Sequence, residues 1–192
     1  MMEKNSNSKG ANYKFGQLFG YKGPNEKIME EDIISVMRFD STGRKLALGD
    51  KAGRVIIFDC PESSKRREDY EYFSEFQSHT REFDPLRSMD IEEEVREIAW
   101  LAPQGTYLKL LTTNERTIKL WKVFEKTDKK VVKSAGKELS IPRLQGVETS
   151  YISQMQLAFS PKHISAINSV APACNQQYML SSDDVQAFLW SF

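Results

Sequence analysis

The sequence contains few of the residues that support redox, metal or nucleophilic chemistry. Its 192 residues include two histidines and two cysteines, the latter at Cys60 and Cys174. Neither cysteine belongs to a C-x-x-C pair, so the spacing argues against a disulfide framework and against a zinc site. We therefore expect reduced thiols, no metal site and no cofactor.

Long apolar runs and an excess of charge of one sign are absent as well. No apolar run is long enough to span a membrane, and residues 1–10 are polar, so neither a membrane span nor a secretory signal is predicted. Lys+Arg and Asp+Glu each total 27. A net charge of zero argues against nucleic acid and against anionic membranes as partners. We expect the chain in the cytosol, with the nucleus as a second location.

Catalytic motifs are missing too. His79 follows Gln77-Ser78 and His163 follows Pro161-Lys162, and neither has a carboxylate or a nucleophile at a motif spacing. No glycine-rich phosphate loop and no H-E-x-x-H pattern occurs. Because triads can assemble from distant residues, an enzyme on an all-β scaffold, such as a hydrolase, remains an alternative. The sequence favours binding over catalysis, and we expect no enzyme activity.

What the sequence does contain is a repeated hairpin pattern. Residues 46–59 alternate apolar and other residues on both sides of the polar turn Asp50–Gly53. The same order of small residues, Asp or Asn, a turn, alternating apolar residues and a large aromatic recurs in residues 112–121 and 181–190. This pattern is typical of the closing hairpin of a propeller blade. It predicts an all-β, WD-type β-propeller.

The organisation of the chain follows from these hairpins. Residues 1–12 are expected to be a disordered tail and residues 13–192 a partial propeller, with a short lone strand over 13–20. Blade units are predicted at about 28–76, 95–123 and 164–191, the last opening with a strand over 164–170. Residues 83–94 form an arm-like insertion, and the lysine-rich residues 124–140 are predicted to be a solvated loop.

Two acidic features are candidates for binding. In the pair Asp183-Asp184, one carboxylate is expected to cap the turn, as Asp50 and Asn114 would in their hairpins, while the other attracts a basic ligand. In the insertion 83–94, apolar residues alternate with acidic ones. The insertion is either an exposed hairpin that packs on another protein or a loop folded back on its own blade.

Several motifs in this order resemble the 55-kDa regulatory B subunit of protein phosphatase type 2A, over most of residues 13–190. The most specific are Gly49-Asp50-Lys51-Ala52-Gly53-Arg54-Val55, Phe76-Gln77-Ser78-His79 and Thr117-Ile118-Lys119-Leu120-Trp121. The resemblance implies a seven-bladed propeller with a hairpin arm on its second blade. The arm and the propeller bottom would hold a helical-repeat scaffold subunit. The top would face the catalytic subunit and recruit phosphoprotein substrates through an acidic groove.

The resemblance also implies a role for individual residues. Asp183 and Asp184 fall on the substrate-binding acidic groove. The residues that fall on the scaffold-binding arm are Phe83, Asp84, Leu86, Met89, Ile91, Glu92 and Glu93. The expected function is that of a non-catalytic regulatory and substrate-targeting subunit. With about three blades, the chain is expected to be a short or truncated member with an unclosed ring. A generic WD-repeat interaction module and a non-functional remnant are the alternatives.

Overall fold

The computed structural model describes residues 15–20, 23–61, 69–103, 105–132, 143–159 and 162–192. These residues form antiparallel sheets, and none of them is in an α-helix. A single-turn 3-10 helix, Glu30–Asp32, precedes the first sheet. The predicted all-β class is confirmed.

The first blade is a four-stranded meander in which each strand pairs with the next in sequence. Its strands are β1 (Ile34–Phe39), β2 (Lys45–Asp50), β3 (Arg54–Asp59) and β4 (Glu71–Gln77). In β3, Val55 and Ile57 are buried while Arg54, Ile56 and Phe58 are partly exposed, as the period of two requires. The outer strand β4 carries the aromatic residues Tyr72, Phe73 and Phe76, and it lies at the end of the unit predicted at 28–76.

A small two-stranded sheet and two further blade sheets follow in the described residues. The small sheet, here called the insertion hairpin, pairs β5 (Glu82–Asp84) with β6 (Met89–Ile91). The second blade contains β7 (Glu97–Trp100), β8 (Tyr107–Thr113), β9 (Ile118–Val132) and β10 (Arg143–Phe159). The third contains β11 (Ser169–Pro172), β12 (Tyr178–Ser182) and β13 (Ala187–Ser191).

Two hydrophobic cores lie between successive blades. Val55 and Ile57 of the first blade pack with Leu110 of the second, and Leu111 of the second packs with Met179 of the third. Leu110 and Leu111 are adjacent and fully buried, so they point to opposite faces of one sheet. The second blade is therefore buried on both faces, and each such leucine contributes about 2 kcal/mol through burial.

The meander order places the hairpin turns β2–β3, β8–β9 and β12–β13 at one common end of the blades. We call this end the turn face and define it by residues 50–53, 114–117 and 183–186. The segment that carries the insertion hairpin lies on this face, because the Val95 N–H donates to the Asp50 carbonyl at 3.1 Å and the Asn114 side-chain amide donates to the Glu92 carbonyl at 3.2 Å. The β1–β2 and β3–β4 connections lie at the opposite end.

Gly53 allows this close packing. Its φ of +80° lies in the left-handed region, and a Cβ atom there would overlap the carbonyl oxygens of His79 and Glu93. The Gly53 carbonyl in turn accepts the backbone N–H groups of Ser78, at 2.8 Å, and His79, at 3.1 Å. The turn of the first blade can therefore carry only glycine at this position.

The loop predicted at 124–140 is wrong where the structure describes it. β9 continues to Val132, and β10 returns from Arg143, while residues 133–142 lie outside the described residues. The last pair between β8 and β9 is Tyr107 with Phe124, so residues 126–132 and 143–150 pair only with each other. The sequence there is rich in lysine and polar residues, which is the composition of a loop, and the strand was therefore not predicted.

Two other strands differ from the prediction. The lone strand does not form over residues 15–20; instead the Gln17 side chain donates to the Tyr70 carbonyl and accepts its N–H, at 2.7 and 2.8 Å. Residues 1–14 lie outside the described residues. The strand predicted over 164–170 begins only at Ser169. The carbonyls before it bind an arginine side chain, as described below, and so are not available to a sheet.

Candidate binding surfaces

The two carboxylates of the pair Asp183-Asp184 have different surroundings. Asp183 is buried, and its Oδ1 atom accepts the N–H groups of Val185 and Gln186 at 2.9 and 2.7 Å. These two backbone hydrogen bonds hold the pKa of Asp183 well below its usual range. Asp184 is exposed, and its Oδ1 atom accepts one hydrogen bond, at 2.7 Å, from the Asn168 amide.

The turn-capping role predicted for one carboxylate is confirmed, and Asp183 performs it. Asp50 and Asn114 cap their turns in the same way, since Asp50 accepts the Arg54 N–H at 2.8 Å and Asn114 accepts the Thr117 N–H at 2.7 Å. Asp184 is thus the member of the pair that faces solvent. Its role in binding a basic ligand remains a prediction.

The histidines have partners that sequence spacing did not reveal. His163 contacts Asp183 Oδ2 through Nδ1 at 3.0 Å and Ser181 Oγ through Nε2 at 2.7 Å. This Asp–His–Ser arrangement has the connectivity of a catalytic triad. However, Ser181 is 1% exposed, and its Oγ accepts the Trp190 indole N–H at 2.7 Å. The arrangement therefore fixes the interior of the blade and offers no accessible nucleophile.

A related network lies in the second blade. Thr112 Oγ1 is 3.2 Å from His79 Nε2 and 2.6 Å from Ser78 Oγ, and it accepts the Trp121 indole N–H at 3.0 Å. Burial, assisted by the positive charge of Lys119, lowers the pKa of His79 to about 3. The signal that sequence reasoning missed is the spacing of nine residues from Thr112 or Ser181 to the tryptophan.

The insertion hairpin combines both of its predicted forms. It is folded back through its second strand, since Ile91 is 7% exposed and Met89 contacts Arg116, and through its connection, where Arg87 donates to the Ile164 carbonyl. Apolar side chains of its first strand and its connection are exposed, with Phe83 at 60% and Leu86 at 96%. The hairpin is therefore held at both its strand and its connection and still presents apolar side chains to solvent.

An acidic depression lies beside this hairpin on the turn face. It has a volume of about 200 Å³ and contains two basic side chains, Lys51 and Arg81. Its acidic lining comprises Glu30, Glu31, Glu92, Glu93 and Glu94. Lys51 is paired with Glu30 at 2.9 Å. Carboxylates thus outnumber cations here, and the depression is negatively charged.

The long β9–β10 hairpin projects from the opposite end. Its outer part, residues 126–132 with their strand partners, is about 23 Å long at about 3.3 Å per residue. At its base the Tyr151 ring packs on Phe73 with centroids 3.9 Å apart, and the Lys45 ammonium lies 3.9 Å from the Phe73 centroid. The base is therefore fixed against the first blade, from which the outer part extends.

The described part of the chain holds no group of three or more His, Cys, Asp or Glu side chains placed to bind a metal ion. Within the same part, no helix has the length and apolar character needed to cross a membrane.

The predicted site residues lie together on the turn face. Asp183 and Asp184 belong to the turn of the third blade, and the insertion hairpin contacts the turn of the second. The resemblance, by contrast, implies a scaffold arm that belongs to the second blade. In the structure the second blade carries the long β9–β10 hairpin, whereas residues 83–94 precede its first strand.

Four-stranded antiparallel meanders packed face to face, with buried His–Ser/Thr–Trp networks, define part of a WD-type β-propeller.

No family model matches the chain. Three relatives show its family. A regulatory B subunit of protein phosphatase PP2A from Candida tropicalis is 40% identical over 94% of this chain and 38% of the relative. The protein of the same name from Schizosaccharomyces pombe is 38% identical over 93% of this chain and 42% of the relative.

The third relative is a mammalian protein. The beta isoform of the 55 kDa regulatory B subunit of serine/threonine-protein phosphatase 2A from Sus scrofa is 37% identical over 85% of this chain and 40% of the relative. By sequence the chain belongs to the family of these regulatory B subunits. It spans about two fifths of the length of the relatives it matches.

Proposed function

We propose that the chain is a non-catalytic, substrate-targeting part of a protein phosphatase 2A assembly. The observation that carries this proposal is the match to regulatory B subunits at 38–40% identity over 93–94% of the chain. Its mechanism is positional, because the chain binds a substrate at one end and a phosphatase subunit at the other. No step of bond cleavage is assigned to its residues.

The turn face supports the substrate role. The exposed carboxylate of Asp184 and the acidic depression at Glu92–Glu94 lie on this face. Complementary charge speeds encounter and selects the partner more than it raises affinity. We therefore assign to this face a phosphoprotein segment that carries lysine or arginine, and we place the catalytic subunit next to it.

The long hairpin supports the scaffold role. The resemblance implies an arm on the second blade, and β9–β10 belongs to that blade and extends beyond its neighbours. We therefore assign the scaffold contact to residues 126–132 and 143–150 in place of residues 83–94. The insertion hairpin then belongs to the substrate side, which leaves the two partners at opposite ends of the blades.

Co-purification tests the scaffold assignment. Replacing residues 126–150 by a short glycine-serine turn should abolish capture of the scaffold subunit, because the projecting surface is lost. The double change Phe83→Ser with Leu86→Ser should leave capture intact. Capture that survives the shortened hairpin but fails in the double variant would return the scaffold role to residues 83–94. A wild-type chain that captures neither scaffold nor catalytic subunit would favour a generic interaction module.

Peptide binding tests the substrate assignment. Asp184→Asn should weaken binding of a lysine-rich phosphopeptide about threefold at low salt, since one exposed charge pair contributes at most about 1 kcal/mol. Glu125→Gln removes an exposed carboxylate near the opposite end and should leave the affinity unchanged. Equal affinities of all three proteins, measured by fluorescence anisotropy, would contradict the assignment.

A further inference from the structure

Two arginines bind the same loop between the second and third blades. The carbonyl oxygen of Ile164 accepts a hydrogen bond from Arg116 Nη1 at 2.8 Å and a second from Arg87 Nη1 at 3.2 Å. Arg116 belongs to the turn of the second blade, and Arg87 belongs to the connection within the insertion hairpin. The loop is thus held from two separate elements of the chain.

Arg116 is not used to neutralise a carboxylate. It is 9% exposed, its Nε atom is buried without a partner, and no ion pair joins it to a described residue. Its remaining contacts are the His163 and Ser165 carbonyls at 3.4 and 3.5 Å and Met89 Sδ at 3.5 Å. Burying a cation without a counterion is costly. Its hydrogen bonds to the loop and its contact with the hairpin are the interactions that offset this cost.

The same loop leads to the exposed acid of the third blade. His163, where the loop begins, is bonded to Asp183, and Asn168, where it ends, donates to Asp184 at 2.7 Å. The Ile167 N–H donates to the Glu115 carbonyl at 3.0 Å, which fixes the middle of the loop to the second blade. Residues 163–168 therefore connect the insertion hairpin to the acidic turn, because separate hydrogen bonds along this one loop reach both elements.

Exposed aliphatic side chains lie along this connection. Leu86 is 96% exposed on the hairpin, Ile164 is 66% exposed in the loop, and Val185 is 87% exposed beside Asp184. Separately, each is an ordinary surface residue. Leu86 adjoins Arg87, Ile164 supplies the carbonyl that both arginines bind, and Val185 adjoins Asp184, so apolar side chains accompany both ends of the connection.

We propose that Arg87 and Arg116 are positioning residues that hold the insertion hairpin and the Asp184 turn as one binding surface for a basic peptide segment with aliphatic side chains. This inference rests on the substrate role proposed for the turn face. The aliphatic groups contact Leu86, Ile164 and Val185, and the basic groups lie near Asp184. Arg87 is the better residue to test, because its side chain is 42% exposed and its loss does not open a core.

The experiment compares Arg87→Met with Arg81→Met in the full chain. Arg81 lies at the base of the same hairpin and pairs with Asp90 within it, at 3.2 Å, so the charge change is the same. The probe is a fluorescein-labelled amphipathic peptide with alternating lysine and leucine. Removing a positive charge should, through electrostatics alone, tighten binding of this cationic peptide in both variants.

The proposal predicts that the two variants differ in how their affinity for the peptide changes. Arg87→Met should weaken peptide binding about fivefold, as expected for loss of a coupling between two elements. Arg81→Met should bind as tightly as the wild type or more tightly. Arg87→Lys keeps the charge and one donor group and should recover part of the affinity. Equal or tighter binding by Arg87→Met would overturn the proposal.

A second readout needs no ligand. Hydrogen exchange at the amides of Ile167 and Asn168, both of which are hydrogen-bonded, should quicken about fivefold in Arg87→Met and not in Arg81→Met. Unchanged exchange would overturn the positioning role even if the peptide does not bind at all. If Asp184→Asn weakens the peptide while Arg87→Met does not, the proposed substrate face stands and this inference fails.

Discussion

The second and third blades contain the same kind of buried hydrogen-bond network but cap the adjoining turn with different residues. Both place a histidine and a tryptophan around a buried hydroxyl, Thr112 in one and Ser181 in the other. The turn residue differs. It is Asn114 in the second blade and Asp183 in the third.

The difference shows that the side chain at the turn-capping position can make its second hydrogen bond either to the interior of its own blade or to a neighbouring segment. The second oxygen of Asp183 turns inward to His163, whereas the amide nitrogen of Asn114 turns outward and donates to the Glu92 carbonyl. In the third blade, Asp183 is thus bonded to the interior through His163, and Asp184 is the carboxylate that is exposed. The second blade uses its turn to hold the segment that follows the insertion hairpin.

The largest expected effect is at Asp183. Asp183→Ala removes the turn cap and leaves His163 buried without its acidic partner, so we expect a loss of about 3 kcal/mol in the free energy of unfolding. Asp184→Ala removes an exposed carboxylate with one hydrogen bond and should change stability by less than about 0.5 kcal/mol. Urea denaturation measures both. Similar losses in the two variants would show that the neighbouring carboxylates do not have separate roles.

The next effect is a pH dependence that belongs to the second blade. The pKa of His79, about 3 when folded, lies below its ordinary value of 6.5, so protonation favours the unfolded chain. The contribution of neutral His79 to the free energy of unfolding is complete above pH 6.5 and is lost as the pH falls toward 3. Lowering the pH from 7 to 5 should reduce the free energy of unfolding by about 2 kcal/mol. The lowered pKa of Asp183 affects stability only at more acidic pH, below its ordinary value of 3.8.

The matched variant for this prediction is His79→Gln, which keeps a polar side chain and removes the titrating group. Urea denaturation at pH 7 and pH 5 should show a smaller difference for this variant than for the wild type. If both proteins lose the same free energy, His79 is not the group responsible.

The smallest effect is expected from making the two turns alike. Asn114→Asp keeps the oxygen that caps the turn but removes the donor to the Glu92 carbonyl, and should cost about 1 kcal/mol. Asn114→Ala removes both functions and should cost more. Thermal denaturation ranks the three proteins, and an unchanged Asn114→Asp variant would show that the hydrogen bond to Glu92 contributes nothing.

The sequence predicted those parts of the fold whose signal is local. The β2–β3, β8–β9 and β12–β13 hairpins follow from period-two alternation around a short turn that Asp50, Asn114 or Asp183 caps. The histidine networks were missed because they join residues that are 20 and 33 positions apart. Such contacts depend on how the blades pack, which no local pattern encodes.

The candidate site was predicted in part for the same reason. That one aspartate caps the turn follows from turn chemistry, and the structure shows that Asp183 is the capping residue and that Asp184 is exposed. The role of Arg116 could not be predicted, because its partners at residues 163–165 are brought to it only when the third blade packs on the second. The long hairpin was missed because the lysine-rich sequence of its outer strand lacks the period-two apolar alternation that marks a strand.

One strand of this chain has a geometric consequence for the proposed assembly. β9 begins at Ile118, beside the turn face, and continues unbroken through the second blade to Val132 in the long hairpin. Its 15 residues extend over about 50 Å at about 3.3 Å each. The separation between the two ends is therefore a property of a single hydrogen-bonded strand, and the length of β9 sets how far a substrate on the turn face lies from a protein held by the hairpin. The pairing of β10 with β9 shifts register twice, at Gly146/Glu148 and at Met155/Leu157, and such bulges are the points at which a β-ribbon bends.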